Sequence, residues 1–321
     1  MKWIGGASNQ DLAAIEDLAG LYTLAGVHCL DLAADPAVVA AARRGMAWAI
    51  ERGAARPWLM VSLSDGEDPH FRKAHFDPQR CPVDCPRPCQ RVCPALAIGA
   101  SGGVIAERCY GCGRCLPACP LGLIGEAPQL LSPEAVPQLL AQLQPDAVEL
   151  HTQPGRGAAF HQRLAQVLAS GVPLRRLAVS IGLEGAHGPV TPEQLATELW
   201  QRFVPLRRLD LRVLWQLDGR PMSGDVGAGT AHAAVKLLRA VRPWAPPGPL
   251  QLAGGTNASS LGLLRPCDGA AGVAFGGMAR SLLQPLLQEA EGRGAPLREQ
   301  EDLCRRALPL VQGLIDPWLG R

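Results

Sequence analysis

Eight short apolar runs recur along the chain, and amphipathic stretches of helical period lie between them. Runs that are apolar on both faces are typical of buried parallel strands, because helices cover both faces of such a sheet. Eight strands, each followed by a helix, predict an α/β fold, a (β/α)8 TIM-like barrel. A doubly wound open sheet is the alternative, and the eightfold count favours the barrel. The runs are residues 2–7, 27–33, 57–63, 146–151, 176–182, 211–217, 250–255 and 271–277.

One long segment, residues 65–128, interrupts this alternation between the third strand and its helix. We therefore predict a barrel built from residues 1–64 and 129–321, with residues 65–128 as an insertion. The residues left for the barrel are close in number to the roughly 250 of a typical one. Loops that follow barrel strands lie on the C-terminal face, where active sites are built. The insertion is therefore expected over the barrel mouth.

The insertion holds eight of the eleven cysteines, in two runs: "CPVDCPRPCQRVCP" at 81–94 and "CYGCGRCLPACP" at 109–120. The second run has the spacing C-x2-C-x2-C-x3-C-P. Three of its thiolates can wrap one iron–sulfur cubane, and the fourth, before a proline, reaches a neighbouring cluster. A zinc-stapled loop is the alternative, although structural zinc sites more often use two separated C-x2-C pairs.

The first run is unusual, because three residues separate each cysteine from the next. Pro82, Pro86 and Pro88 lie among these cysteines and offer no N–H group to a cluster sulfur. The sequence therefore leaves open whether the first cluster has four irons or three.

Together the two runs resemble the two-cluster bacterial ferredoxin module over residues 78–126. Ligation in that module is crossed, so the resemblance implies two ferredoxin-type (4Fe-4S) clusters that each take one cysteine from the other run. The implied ligands are Cys81, Cys85, Cys89 and Cys119 for the first cluster, and Cys93, Cys109, Cys112 and Cys115 for the second.

The composition narrows the protein class. Apolar residues make up 47% of the chain, which permits a large core and argues against global disorder. The net charge is only +2 and aromatic residues are 4%, without the basic patch or aromatic platform of a nucleic-acid binder. There is neither an apolar signal core nor an apolar run near the ~18 residues of a membrane span. We therefore expect a cytoplasmic protein, whose reduced thiols are metal ligands rather than disulfides.

Polar residues at or near the carboxyl ends of the predicted strands are candidates for a site in the barrel mouth. Two pairs, Glu149 with His151 and Gln216 with Asp218, are two residues apart and so share a strand face. Such a set could bind a polar ligand or move protons; the alternative is a set of loop caps and solvated rim residues. The set is Asp31, Glu149, His151, Gln216 and Asp218.

Glycine-rich loops follow the last three strands. The loops after strands seven and eight are where barrels commonly bind phosphate through backbone N–H groups, and Arg280 lies near the second of them. Tight turns without a ligand are the alternative. No flavin fingerprint accompanies them, so a bound flavin has no motif to support it. The candidate ligand-binding residues are Gly254, Gly255, Asn257, Gly276 and Gly277.

The two cysteine runs, together with "DGRPMSGD" at 218–225, resemble the light dependent period A (LdpA) family of cyanobacterial iron–sulfur proteins. The resemblance extends along nearly the whole chain. It implies a redox sensor that reports the cell's state to the circadian clock, with clock-input proteins such as a histidine kinase as partners. The alternative is an iron–sulfur, flavin-dependent oxidoreductase that passes electrons to a small redox ligand in the barrel mouth. The absence of a flavin fingerprint or a strong nucleophile–base pair favours the sensor.

Overall fold

The computed structural model describes residues 1–99, 102–220 and 227–319. Eight parallel strands close into a barrel, because each strand pairs with its neighbours in chain order and the first pairs with the last. The predicted barrel is confirmed, and each strand overlaps one of the predicted apolar runs. The strands are β1 (Lys2–Gly6), β2 (Cys29–Ala33), β3 (Trp58–Ser64), β4 (Ala147–His151), β5 (Arg176–Gly182), β6 (Arg212–Asp218), β7 (Leu250–Ala253) and β8 (Gly272–Phe275).

Long helices surround the barrel, and their ends carry recognisable caps. The Asp35 side chain accepts the Ala37 and Val38 N–H groups, and Pro36 occupies the first helical position. Thr191 forms a capping box with Gln194. The helices are α1 (Leu12–Leu24), α2 (Pro36–Ile50), α3 (Ala135–Leu143), α4 (Gly157–Ala169), α5 (Pro192–Leu206), α6 (Ala231–Val241), α7 (Gly277–Gly292) and α8 (Glu301–Leu319).

The expectation of a helix after every strand is wrong at β7. The segment between β7 and β8 forms two short 3-10 turns, Ala258–Ser260 and Pro266–Asp268, rather than an α-helix. Its glycines and Pro266 disfavour a continuous helix. Two helices follow β8 instead, and the second of them, α8, contacts α1 and α7. None of the helices in the described part of the chain is long and apolar enough to cross a lipid bilayer.

The core lies between the outer faces of the strands and the helices. Trp3 of β1 stacks on Tyr22 of α1 with ring centroids 5.4 Å apart, and both rings are buried. The Tyr22 hydroxyl donates to the Ala279 carbonyl at 2.9 Å, which ties α1 to α7. Truncation of a buried ring of this kind typically costs about 3–5 kcal/mol, so these contacts fix the helices against the barrel.

The chain leaves the barrel after β3 and returns alongside itself. Strands Arg72–His75 and Gly125–Pro128 pair antiparallel, so the two ends of the insertion lie together. Between them are two one-turn helices, Pro88–Arg91 and Cys115–Ala118. Five of the eight cysteines pack, with alanine and isoleucine side chains, into a small apolar core that is separate from the barrel core.

Contacts with the loop after β1 and with α7 hold the insertion on the barrel. The Ser8 hydroxyl donates to the His70 carbonyl at 3.2 Å, and Lys73 donates to Gln10 at 2.5 Å. Arg108 forms an ion pair with Glu291 of α7. These polar contacts tie the insertion to the loop after β1 and to α7.

Candidate functional site

The eight cysteines of the insertion assemble into two groups of four, and each group takes one member from the other run. Burial raises the pKa of the Cys89 thiol, and the neighbouring Cys119 and Cys85 raise it further. Burial likewise raises the pKa of Cys115 to about 12, with additions from Cys112, Cys109 and Cys93. No disulfide joins any of these cysteines. The outer group is Cys81, Cys85, Cys89 and Cys119, and the inner group is Cys93, Cys109, Cys112 and Cys115.

This grouping is the one that the ferredoxin resemblance implies, and the backbone around the inner group suits bound sulfur. The N–H of Ala74 points at the Cys109 sulfur at 3.3 Å, and the N–H of Ala97 at the Cys93 sulfur at 3.2 Å. Hydrogen bonds of this kind favour thiolates and reduced iron–sulfur clusters. Four converging thiols with amide donors fit an iron–sulfur cluster, and ligation by these eight cysteines stays a prediction.

Cys119 shows the same support in the outer group. The Leu123 N–H lies 3.4 Å from its sulfur. Burial raises the pKa of this thiol, but backbone N–H groups of residues 121–124 lower it by more, so the net shift is downward. A thiol that is readily deprotonated is a ready metal ligand.

The two groups differ in depth. In the outer group Cys81 and Cys85 are half-buried, and Val83 between them is fully exposed. The outer group has one buried cysteine, Cys89, whereas the inner group has two, Cys109 and Cys115. The outer group is therefore the one nearer to solvent.

A cavity of about 150 Å³ lies in the barrel mouth, and three parts of the molecule line it. The strands contribute four of the five predicted strand-end residues, all but Asp31, and the loops after β7 and β8 contribute all five predicted glycine-loop residues. The insertion contributes His70, Tyr110, Cys112 and Arg114. The structure thus joins the strand-end set, the glycine loops and the inner cysteine group around one space. Within the glycine-rich segment 218–234, residues 221–226 lie outside the described residues.

The strand-end residues form a buried network, so the alternative of a solvated rim is wrong. Lys2 donates to Asp31 at 2.9 Å and also pairs with Glu149. The Ser62 hydroxyl donates to the other Asp31 oxygen at 2.7 Å. Burial and the nearby Glu149 raise the pKa of Asp31 to about 6, against the opposing effect of Lys2. Gln216 donates to Glu149 at 2.7 Å, which extends the network across the barrel.

Glu149 and His151 form a charged pair that faces the cavity. Nε2 of His151 lies 2.9 Å from Oε1 of Glu149. Burial lowers the pKa of His151, but the hydrogen bond and charge of Glu149 outweigh it and raise the pKa to about 9. Burial raises the pKa of Glu149, but Lys2 and His151 together hold it below its usual range. At neutral pH His151 is therefore protonated and can offer a proton to a bound ligand.

A second carboxylate–histidine pair, from the insertion, lies against this one. Asp68 contacts Nδ1 of His70 at 2.7 Å, and the His70 ring centroid is 4.8 Å from that of His151. Asp218 accepts from the Ser180 hydroxyl at 2.5 Å, and burial raises its pKa. The cavity floor therefore holds several groups that can exchange protons.

Turn geometry accounts for three of the five glycine-loop residues. Gly254 and Gly255 have positive φ, 60° and 85°, and a Cβ on either would lie 3.0 Å from Arg220 or Thr230. Asn257 accepts the Ser259 N–H at 2.9 Å and caps a 3-10 turn. The tight-turn alternative is thus sufficient for this loop taken alone.

Gly276 and Gly277 differ from those three. They begin α7, and a Cβ on Gly277 would meet no atom within 4 Å. Packing therefore does not explain Gly277, and open space remains above the start of the helix.

Sequence reasoning missed Lys2, Asp68 and His70. Strand alternation could have revealed Lys2, since it shares the inward face of β1 with Ile4. The contact between His70 and His151 joins the insertion to the barrel. Because the two residues are far apart in the sequence, no local sequence pattern predicts this contact.

Comparisons with known proteins match both the insertion and the barrel. A family model described as the LdpA Fe-S cluster-binding domain matches residues 81–130, and one described as the light dependent period A C-terminal domain matches residues 139–317. "Light dependent period A" of Synechococcus elongatus is 48% identical over 328 aligned positions, which cover 98% of this chain and 90% of that protein.

The solved structures to which the chain is similar are far more distant in sequence. The (S)-3-O-geranylgeranylglyceryl phosphate synthase of Thermoplasma acidophilum is 11% identical, with a TM-score of 0.42 over 98% of this chain and 92% of that one. The tryptophan synthase α-subunit of Pyrococcus furiosus, as a mutant, is 12% identical, with a TM-score of 0.42 over 100% and 97%.

Proposed function

This chain belongs to the light dependent period A (LdpA) family, and from that premise we propose that it is a redox-sensing iron–sulfur protein of the circadian clock input. Two ferredoxin-type clusters would report the redox state of the cytoplasm, which follows light, to partner proteins of the clock. The convergence of the eight cysteines into two groups carries this proposal.

The different depths of the two groups support a direction for the electrons. The outer group lies nearer to solvent, so a diffusing donor meets it first. The inner group adjoins the barrel mouth through Cys112. We propose that electrons enter at the outer cluster and reach the inner one, whose charge then alters the surroundings of the mouth. Iron–sulfur potentials span about −700 to +450 mV, a range that includes cellular redox poise.

The test combines chemistry with a clock measurement. Anaerobically purified protein should contain seven to eight irons per chain with a similar amount of sulfide, about what a four-iron cluster plus a three- or four-iron cluster requires. A cyanobacterial strain that carries Cys112→Ser should lose the dependence of its circadian period on light. Cys267→Ser, at an exposed cysteine outside both groups, is the matched control. Stoichiometric zinc without sulfide, or a normal light response in the Cys112→Ser strain, would contradict the proposal.

An oxidoreductase is the second candidate, and one observation favours it. Cys112 of the inner group and the Glu149–His151 pair line the same cavity, so an electron source and a proton source face one ligand. Acid extracts of the purified protein distinguish the two functions: a stoichiometric redox ligand such as a flavin, with turnover by an electron acceptor, indicates the enzyme. Intact clusters without any such ligand indicate the sensor.

A further inference from the structure

Arg280 is a buried cation with unused hydrogen-bonding capacity. Its side chain is 4% exposed and lines the cavity of the barrel mouth. Among the described residues, Nη2 is buried and has no hydrogen-bond partner. The guanidinium lies over the Tyr110 ring at 5.4 Å, a contact that does not occupy the Nη2 donors. A buried, charged donor without a partner is energetically unfavourable, which indicates that an anion completes the site.

The first turn of α7 points more donors at the same space. α7 has sixteen residues, and its N-cap, Gly276, offers no side-chain cap. The first N–H groups of a helix have no acceptor within it and carry partial positive charge. Gly277 and Met278 line the cavity, and the space above Gly277 is open. Arg280 itself belongs to this turn, so the charge and the amide donors converge.

The size and polarity of the cavity define the rest of the ligand. A dry cavity of about 150 Å³ holds a molecule the size of benzene, so the organic part is small. Glu149 and Asp218 on the floor disfavour a second anionic group there. His151 can donate to a hydroxyl or a carbonyl oxygen, and Oε1 of Gln216, which has no hydrogen-bond partner among the described residues, can accept from a hydroxyl. The cavity therefore suits a molecule with one anionic end and a small uncharged body.

We propose that the barrel mouth binds a small phosphate monoester, whose phosphate occupies the first turn of α7 beside Arg280 and whose organic part faces the Glu149–His151 pair and Cys112. A phosphate fits because it accepts hydrogen bonds from a helix N-terminus and from arginine together. This site goes beyond the proposed function and does not depend on it, since the protein can bind such a ligand whether or not its clusters sense redox state.

Titration calorimetry of the anaerobic holoprotein tests the site, with phenyl phosphate and inorganic phosphate as probes. We expect one site per chain. Arg280→Met should weaken phenyl phosphate binding about tenfold or more, because it removes charge-assisted hydrogen bonds. Arg305→Gln, at an exposed arginine of α8, is the matched control and should bind like the wild type. A wild-type protein that binds neither probe at millimolar concentration would overturn the proposal.

Gly277→Ala provides a second test if the Arg280 variant loses its clusters or its fold. Alanine suits a helix start, and its methyl group meets no protein atom, so the fold is retained. The methyl group would stand where the phosphate lies, so affinity for both probes should fall. Unchanged affinity in this variant would overturn the placement on α7.

The competing role for Arg280 is to balance the charge of the inner cluster alone. In that case Arg280→Met would shift the potential of the inner cluster while phenyl phosphate affinity stayed at the wild-type value, and the proposal would be wrong. If the proposal is right, phenyl phosphate should change the electron paramagnetic resonance signal of the inner cluster but not that of the outer one.

Discussion

Lys2 is the cation on which the buried network of the barrel depends, and its replacement by methionine gives the sharpest test of that network. Its side chain is almost fully buried, and its ammonium group pairs with both Asp31 and Glu149. Methionine has a similar length, so Lys2→Met removes the charge with little change in packing. Two carboxylates then remain in the barrel with much less compensation.

The expected loss follows from the burial of both partners. Removing one partner of a buried ion pair typically costs about 3–5 kcal/mol, because the remaining charge is uncompensated. Here the remaining charges are two, but Asp31 already has a pKa raised to about 6, so it can take up a proton below neutrality. His151 still compensates Glu149. We therefore expect a loss of about 3–5 kcal/mol at pH 7.5 and a smaller loss at pH 5.5, where Asp31 is protonated.

Urea unfolding of anaerobic holoprotein, followed by circular dichroism, measures this change. Lys236→Met, at an exposed lysine of α6, is the matched control and should change stability by less than about 0.5 kcal/mol. The double variant Lys2→Met with Asp31→Asn should be more stable than Lys2→Met alone at pH 7.5, since it removes the carboxylate that Lys2→Met leaves without a cation. A loss below about 1 kcal/mol for Lys2→Met, or additive losses in the double variant, would refute the reasoning.

Three further predictions concern the clusters and the histidine. Cys93→Ser should damage the inner cluster and Cys119→Ser the outer one; electron paramagnetic resonance that shows the loss of the other cluster in each variant would rule out the crossing. The pKa of His151 is about 9 in the folded protein and about 6.5 in the unfolded chain. Its contribution to the free energy of unfolding is therefore complete below pH 6.5 and is lost as pH rises through 9. As pH rises from 6.5 to 9, the free energy of unfolding measured in urea should fall by about 3 kcal/mol more for the wild type than for His151→Gln. Equal losses would contradict the pairing with Glu149. The inner cluster should have the higher midpoint in a spectroscopic redox titration, because two N–H groups reach inner sulfurs and one, from Leu123, reaches an outer sulfur, while prolines remove N–H donors from the first run; equal midpoints would show that solvent exposure matters more.

The barrel could be predicted because its signal is local and repeated. A strand buried on both faces must be apolar throughout, so each of the eight strands is visible in the sequence by itself. The missing helix after β7 was less visible, because a strand count says nothing about the connections between strands. Pro266 and the glycines of that segment were the sequence features that indicated turns rather than a helix.

The site was predictable in its parts but not in its assembly. The cysteine spacing indicates the cofactor, since few other groups need three thiolates within seven residues. By contrast, Arg280 is an ordinary helix residue in the sequence. Its role as a buried cation becomes visible only in the structure, where the insertion covers the barrel mouth and buries its guanidinium. The polar strand-end residues were predicted from the sequence. The cation that compensates their buried carboxylates, Lys2, was not predicted, because no sequence motif includes it.

The shared wall between the cavity and the inner cysteine group links the two proposals. A phosphate on Arg280 would place negative charge near the inner cluster, and an added electron on that cluster would be less favourable with the phosphate bound. Coupling between two sites is reciprocal, so reduction of the cluster would weaken phosphate binding by the same factor. A sensor built in this way would respond to electron supply and to the concentration of one phosphorylated molecule together. The single cavity lined by Cys112 and Arg280 is the physical reason that these two inputs would not be independent.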